Sequence, residues 1–214
     1  EGKKVAILDL TEGELGTRGT NETRAIEAKN AAEILGISAR ENLKMKDGFL
    51  INSEEYQLRI IKAIRTYQPE IVFCNAVDDR HPDHGRSAAL VKDAAFLSGL
   101  RRIVTTKDGL EQVAWRPKYV LHYIQDRLIE PDFVFDISDV FETKLQSILA
   151  YTTQFHNPNL DEPQTYISSP QFLDGVRARN LLMGKRIGVA YAEGFTSSKT
   201  IGIKSFDALV QNPT

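Results

Sequence analysis

Two short apolar runs, Lys4 to Leu10 (KVAILDL) and Glu70 to Asn75 (EIVFCN), constrain this chain more than any other feature. A strand with one wet face alternates apolar and polar residues. A run that is apolar at almost every position is buried on both faces, as in a parallel sheet covered by helices. Each run leads through a polar loop into a helical pattern. After the first, Asn21-Glu22-Thr23-Arg24 opens a helix with apolar positions at Ala25, Ala28, Ala32, Ile34 and Leu35, and Gly36 stands at the expected C-terminal cap. After the second, the loop from Ala76 to His84 precedes a helix from about Gly85 to Leu97. Between them lie a strand at Glu41 to Met45 and a helix opened by Ser53-Glu54-Glu55 and ended by Pro69. This alternation is that of βαβ units, so the expected fold class is α/β. Tyr119 to Gln125 and Phe133 to Ile137 read as further strands, and Ser138 to Thr152 and Pro170 to Met183 as helices. The proline-bearing stretch Asn157 to Pro170 is short and reads as a loop, leaving residues 1–214 as a single domain.

Composition removes several function classes. With 42% hydrophobic residues, 214 residues suffice for a well-buried core, yet the longest apolar runs fall far short of the roughly 20 residues of a membrane-spanning helix. The formal net charge of -2 provides no global field for a phosphate backbone, which argues against a nucleic-acid partner. The single cysteine, Cys74, can form no intrachain disulfide. It sits within the apolar run Ile71-Val72-Phe73-Cys74 as a buried, inert thiol, and a cytoplasmic location is expected.

Open α/β sheets collect their binding groups on the loops after the carboxyl ends of the strands. The loop after Asn75 reads Val77-Asp78-Asp79-Arg80-His81-Pro82-Asp83-His84-Gly85, with two of the four histidines, three carboxylates and an arginine on one strand-to-helix turn. Imidazoles bind metals and exchange protons near neutral pH. Pro82 biases His81 toward an extended backbone, so one ring can bind metal while the other stays free. The plainer reading has Asp83 as a helix N-cap and the histidines as exposed bystanders. The loop after Leu10 spaces its glycines, Gly13, Gly16 and Gly19, as G-x-x-G-x-x-G. That is neither the dinucleotide nor the phosphate-binding pattern, so a nucleotide-dependent oxidoreductase has no support. This loop is either a flexible surface segment or a pocket wall in which helix amides and Arg24 hold an anion. Lesser candidates are His122, Gln125 and His156, with Glu193, which reads as a surface residue, and Tyr191, a better fit to core packing.

Taken together, Asp79-Arg80-His81-Pro82-Asp83-His84, Asp9-Leu10-Thr11-Glu12-Gly13-Glu14 and Tyr191-Ala192-Glu193-Gly194-Phe195 resemble the PIG-L/LmbE de-N-acetylases. The resemblance is strongest to the bacillithiol-pathway branch acting on N-acetylglucosaminyl malate, with deacetylases of chitooligosaccharide-like N-acetyl sugars as the alternative. It implies a Rossmann-like three-layer sandwich with a mostly parallel sheet and a zinc-dependent hydrolysis of an N-acetyl group. It also implies a homo-oligomer, possibly a hexamer. By this resemblance His84 is a zinc ligand, His81 the catalytic general acid, Asp83 the carboxylate that orients it, and Arg24 and Arg80 contact substrate. The family's A-H-P-D-D segment, which carries two further zinc ligands and the general base, has no counterpart here. The resemblance therefore places a strand and a crossover helix before Glu1, and residues 1–214 alone are expected neither to hold catalytic zinc nor to turn over. A different class remains open: a non-catalytic Rossmann-like binder that uses Arg24 and Arg80 to hold an anion.

Overall fold

Helix boundaries follow from their caps. Thr20 and Thr23 form a reciprocal capping box, with Thr20 Oγ1 accepting the Thr23 N–H and Thr23 Oγ1 the Thr20 N–H. Gly36, at φ 60°, ends the same helix in the left-handed conformation that glycine adopts without steric cost. Ser53 caps the next helix through the Tyr56 N–H, and Gln68 ends it just before Pro69. In the computed structural model, which describes residues 2–209, the elements run β1 (Ala6–Thr11), α1 (Asn21–Leu35), β2 (Ala39–Met45), α2 (Glu54–Tyr67), β3 (Ile71–Cys74) and α3 (Pro82–Leu97). A small hairpin of β4 (Thr106–Lys107) and β5 (Leu110–Glu111) follows. The chain continues through β6 (Tyr119–Tyr123), β7 (Phe133–Asp136), α4 (Phe141–Leu149), α5 (Pro170–Ile187) and β8 (Ala192–Ser197). Residue 1 and residues 210–214 of the expected domain lie outside the described residues.

The α/β class is as expected. β1 pairs in parallel with β2, and β3 in parallel with β6. β8, absent from the sequence reading, runs antiparallel between β6 and β7, so the second ladder has the order β3-β6-β8-β7. Its sequence, AEGFTS, has one large apolar residue and a central glycine, too weak a pattern to read as a strand. Phe195 anchors it, with its ring 5.3 Å from Phe133 and 5.4 Å from Phe73. No strand-to-strand hydrogen bond among the described residues joins the β1–β2 ladder to the larger one.

Two cores lie against the strands. In the first, Ile60, Ile61 and Ile64 of α2 and Leu90, Val91, Ala94 and Ala95 of α3 pack with Met45 and Cys74, and Leu10, Val72 and Val120 close around them. Both ladders thus share one helical cover. In the second, Phe141 and Leu145 of α4 meet Val176 of α5 and Ile137, with Tyr191 stacked on Phe141 at 3.7 Å between centroids. Polar ties fasten α1 and β2 to this side. Arg40 forks onto Asp9 at 2.7 and 2.9 Å and also donates to the Tyr151 hydroxyl, while buried Glu27 accepts the Thr153 N–H at 2.7 Å.

Candidate active site

The loop that ends β3 places both histidines at the start of α3. The helix begins at Pro82, three residues before the expected Gly85, because His81 rather than Asp83 is its N-cap. His81 adopts an extended backbone, as a residue before proline should, and its Nδ1 accepts the Asp83 N–H at 3.2 Å. Pro82 occupies the first helical position, where a missing N–H costs nothing. One turn on, His84 brings its ring to 5.3 Å from that of His81. A Cβ on Gly85 would stand 3.1 Å from the Val77 carbonyl oxygen, so the loop folds tightly over this turn.

Asp79 organises the site, and the sequence reading gave it no role. Its fully buried carboxylate holds His84 Nδ1 through Oδ2 at 2.5 Å, and its Oδ1 accepts the N–H groups of Asp126 and Arg127 at 3.0 and 2.9 Å. Burial pushes its pKa up, but the bonds from Arg127, His84 and Arg80 outweigh that, and the carboxyl sits below its usual range. An imidazole anchored through Nδ1 on a carboxylate keeps Nε2 for another partner, the arrangement that orients metal-binding histidines. The signal available in sequence was an aspartate five residues before a histidine on one loop.

Asp83 meets His81 through its backbone N–H. Its carboxylate accepts the Leu50 N–H at 3.3 Å and pairs with Arg86 at 3.1 Å, while its buried Oδ2 has no partner among the described residues. Arg80 extends from the same loop toward Asp126, 3.6 Å away, and lies over the Tyr166 ring at 4.3 Å. The Tyr166 hydroxyl donates to Asp126 at 2.9 Å. Arg24 is engaged in the loop after β1. It donates to the Gly13 carbonyl and to Gln154 Oε1, both at 2.5 Å, and a Cβ on Gly13 would stand 1.6 Å from its Nη1. The glycine spacing of that loop therefore makes room for a guanidinium.

The lesser candidates divide. His122 is buried, its Nδ1 bonded to the Asn75 carbonyl at 2.8 Å and 3.2 Å from Cys74 Sγ, and Gln125 accepts from the Asn75 amide at 3.0 Å. These groups form the floor beneath the loop. Tyr191 packs in the second core, His156 is exposed, and Glu193 is half-buried against Lys144, not the surface residue its sequence context suggested.

Zinc is the cofactor that the resemblance implies. A catalytic zinc takes three protein ligands and one open position. Among the described residues no group of three or more His, Cys, Asp or Glu side chains converges to hold a metal, and the Asp79 carboxylate is already occupied by two N–H groups and His84. These residues by themselves do not fit the ion.

Residues 1–95 match the family model described as PIG-L, GlcNAc-PI de-N-acetylase. The crystal structure of the conserved protein TT1542 from Thermus thermophilus is 32% identical and superposes with a TM-score of 0.82, over 95% of this chain and 86% of that one. The chain belongs to the PIG-L family. Among its relatives, the diacetylchitobiose deacetylase of Thermococcus kodakarensis is 28% identical to this PIG-L chain over 90% of its length and 72% of the relative's. The PIG-L fold also superposes on GalB, the 4-carboxy-2-hydroxymuconate hydratase of Pseudomonas putida, with a TM-score of 0.68 at 17% identity, covering 95% of this chain and 99% of that one. A likeness at that level is one of fold alone, and chemistry has to be argued from the site.

Proposed function

We propose that this protein is a de-N-acetylase of a small N-acetylated amino sugar, and that the residues described here form the acid and substrate-holding side of its active site. The observation that carries the reading is the adjacent pair His81 and His84 at the carboxyl end of β3, with His84 anchored on buried Asp79. Amide hydrolysis needs a proton delivered to the departing amine and a donor for the oxyanion of the tetrahedral intermediate. His81 is placed for both: with Nδ1 accepting the Asp83 N–H, Nε2–H is the donor for the oxyanion, and delivery of a proton to the amine requires the ring to give up that bond and carry a proton on Nδ1 as well. The unpartnered Oδ2 of Asp83, buried beside the same turn, is the acceptor to which a proton on His81 Nδ1 would turn. His84 offers Nε2 as one ligand for zinc, and Arg80 contacts the substrate beyond the leaving group. Arg24, held by Gly13 and Gln154, shapes the opposite loop and keeps its substrate role only through that position.

Two substrates compete. N-acetylglucosaminyl malate is favoured by the resemblance to the bacillithiol branch, and N,N'-diacetylchitobiose by the named Thermococcus relative. A cytoplasmic homo-oligomer with one domain over residues 1–214 completes the proposal; no described helix is long and apolar enough to cross a membrane. The deciding experiment measures acetate release by the full-length protein from each substrate, with zinc added and after chelation. Release that is zinc-dependent and lost in His81→Ala supports the reading. Zinc loading without release from either sugar refutes it, and leaves the anion-binding alternative, in which His81→Ala keeps its affinity.

A further inference from the structure

A cavity of about 410 Å³ adjoins the histidine loop, bounded by α5 and by the segments after β6 and before α5. Tyr166, Phe172, Leu128, Val176 and Leu182 give it apolar walls. Its charged lining residues are Asp126 and Arg179, and these two differ in how they are satisfied. Asp126 is occupied by the Tyr166 hydroxyl and by Arg80. The half-buried guanidinium of Arg179 has neither a hydrogen bond nor an ion pair among the described residues, although five donors sit on its fork.

The carboxylates around Arg179 are committed elsewhere. Asp79 holds His84 and two backbone N–H groups, Glu193 is paired with Lys144, and Asp126 is bonded as above. Burial lowers the proton affinity of Arg179, and the attractions of Asp126, Asp79, Glu193 and Tyr166 do not restore it. A charged fork taken partly out of water without a partner costs free energy unless something binds it. A planar oxyanion matches that fork through two parallel bonds.

We infer that Arg179 is a specificity-determining residue that binds a carboxylate or phosphate on the aglycone of the substrate, held in this cavity against Tyr166 and Phe172. The inference rests on the deacetylase reading and deepens it: it selects an amino-sugar glycoside with an anionic aglycone over a neutral disaccharide. The sugar's N-acetyl group then lies toward His81 and His84, while the anionic end reaches past Arg80 to α5.

The test compares kcat/KM of the full-length protein for N-acetylglucosaminyl malate, N-acetylglucosamine 1-phosphate and neutral N,N'-diacetylchitobiose, in wild type, Arg179→Gln and Arg179→Lys. The wild type should prefer an anionic substrate, malate or phosphate ranking the two oxyanions. Arg179→Gln should lower the anionic-to-neutral ratio roughly 10- to 100-fold, the loss expected for charge-assisted bonds, mainly through KM. Arg179→Lys keeps the charge without the fork and should fall between. A wild type without anionic preference, or a ratio unchanged in Arg179→Gln, overturns the inference. Should Arg179→Gln fail to fold, the wild-type preference and the Arg179→Lys ratio decide. If no substrate releases acetate, the deacetylase reading fails by itself. Calorimetric titration with L-malate and with inorganic phosphate then decides the anion site: binding abolished in Arg179→Gln sustains it, and no binding to wild type overturns it.

Discussion

Replacing Asp79 by asparagine separates the charge of the site's organising carboxylate from its shape. Oδ1 of the new side chain can still accept the Asp126 and Arg127 N–H groups, but an amide replaces the oxygen that holds His84 Nδ1 at 2.5 Å. The loss is one buried, charge-assisted hydrogen bond, about 1.5–3 kcal/mol. Asp79→Ala also strands two backbone donors and should cost about 3–5 kcal/mol. For a chain this size a loss of about 2 kcal/mol lowers Tm by roughly 4–8 °C. The carboxyl titrates below its usual range in the folded state. Its contribution is therefore present above the unfolded pKa of about 3.9 and is lost as pH falls through the lower folded value. Urea unfolding at pH 7 and at steps down to pH 3 measures this. The gap between wild type and Asp79→Asn should hold to about pH 5 and close below pH 4. A gap under about 0.5 kcal/mol at pH 7, or equal losses in the asparagine and alanine variants, would refute the reasoning.

Leu90 has no exposed surface in the first core, so Leu90→Ala should cost about 2–5 kcal/mol in urea unfolding; a loss under about 1 kcal/mol would mean that this core is loosely packed. Burial pushes the Cys74 thiol up to about 12, so native protein should resist iodoacetamide at pH 8 and react with one equivalent only after unfolding. The bond to Glu41 pushes the Tyr67 phenol up to about 12. Being raised, it contributes stability that is full below pH 10 and lost between pH 10 and about pH 12. The ultraviolet difference titration of wild type against Tyr67→Phe should show the late phenol, and Glu41→Gln should return it toward 10.

Much of the fold was readable because its signals are local. The runs at β1 and β3, the Asn21 to Arg24 opening of α1, Ser53 before α2, and Gly36 each act within a few residues. β8 escaped because it is stabilised by Phe195 meeting Phe133 and Phe73, partners distant in sequence, rather than by its own pattern. The start of α3 shifted because an imidazole took the cap that composition assigns to an aspartate. At the site, the histidines were legible from their density on one loop. Arg179 was not, since it lies on an ordinary helical stretch and acquires its meaning only when α5 packs beside the loop after β6. Arg24 reads in the sequence as a substrate contact, and its partners in the fold, Gly13 and Gln154, give it a part in shaping the glycine loop that spacing alone does not display.

The loop after β1 is moored to the far side of the chain by directional bonds. Arg24 of α1 donates to Gly13 in that loop and to Gln154 beyond α4, Arg40 of β2 donates to the Tyr151 hydroxyl, and Glu27 of α1 accepts the Thr153 N–H. The apolar cover of α2 and α3 fixes proximity, through contacts that weaken gradually with distance, whereas hydrogen bonds fix angle as well. The orientation of the glycine loop is thus set by three residues of the segment after α4, and a substitution at Tyr151, Thr153 or Gln154 would be felt there before it is felt in either core.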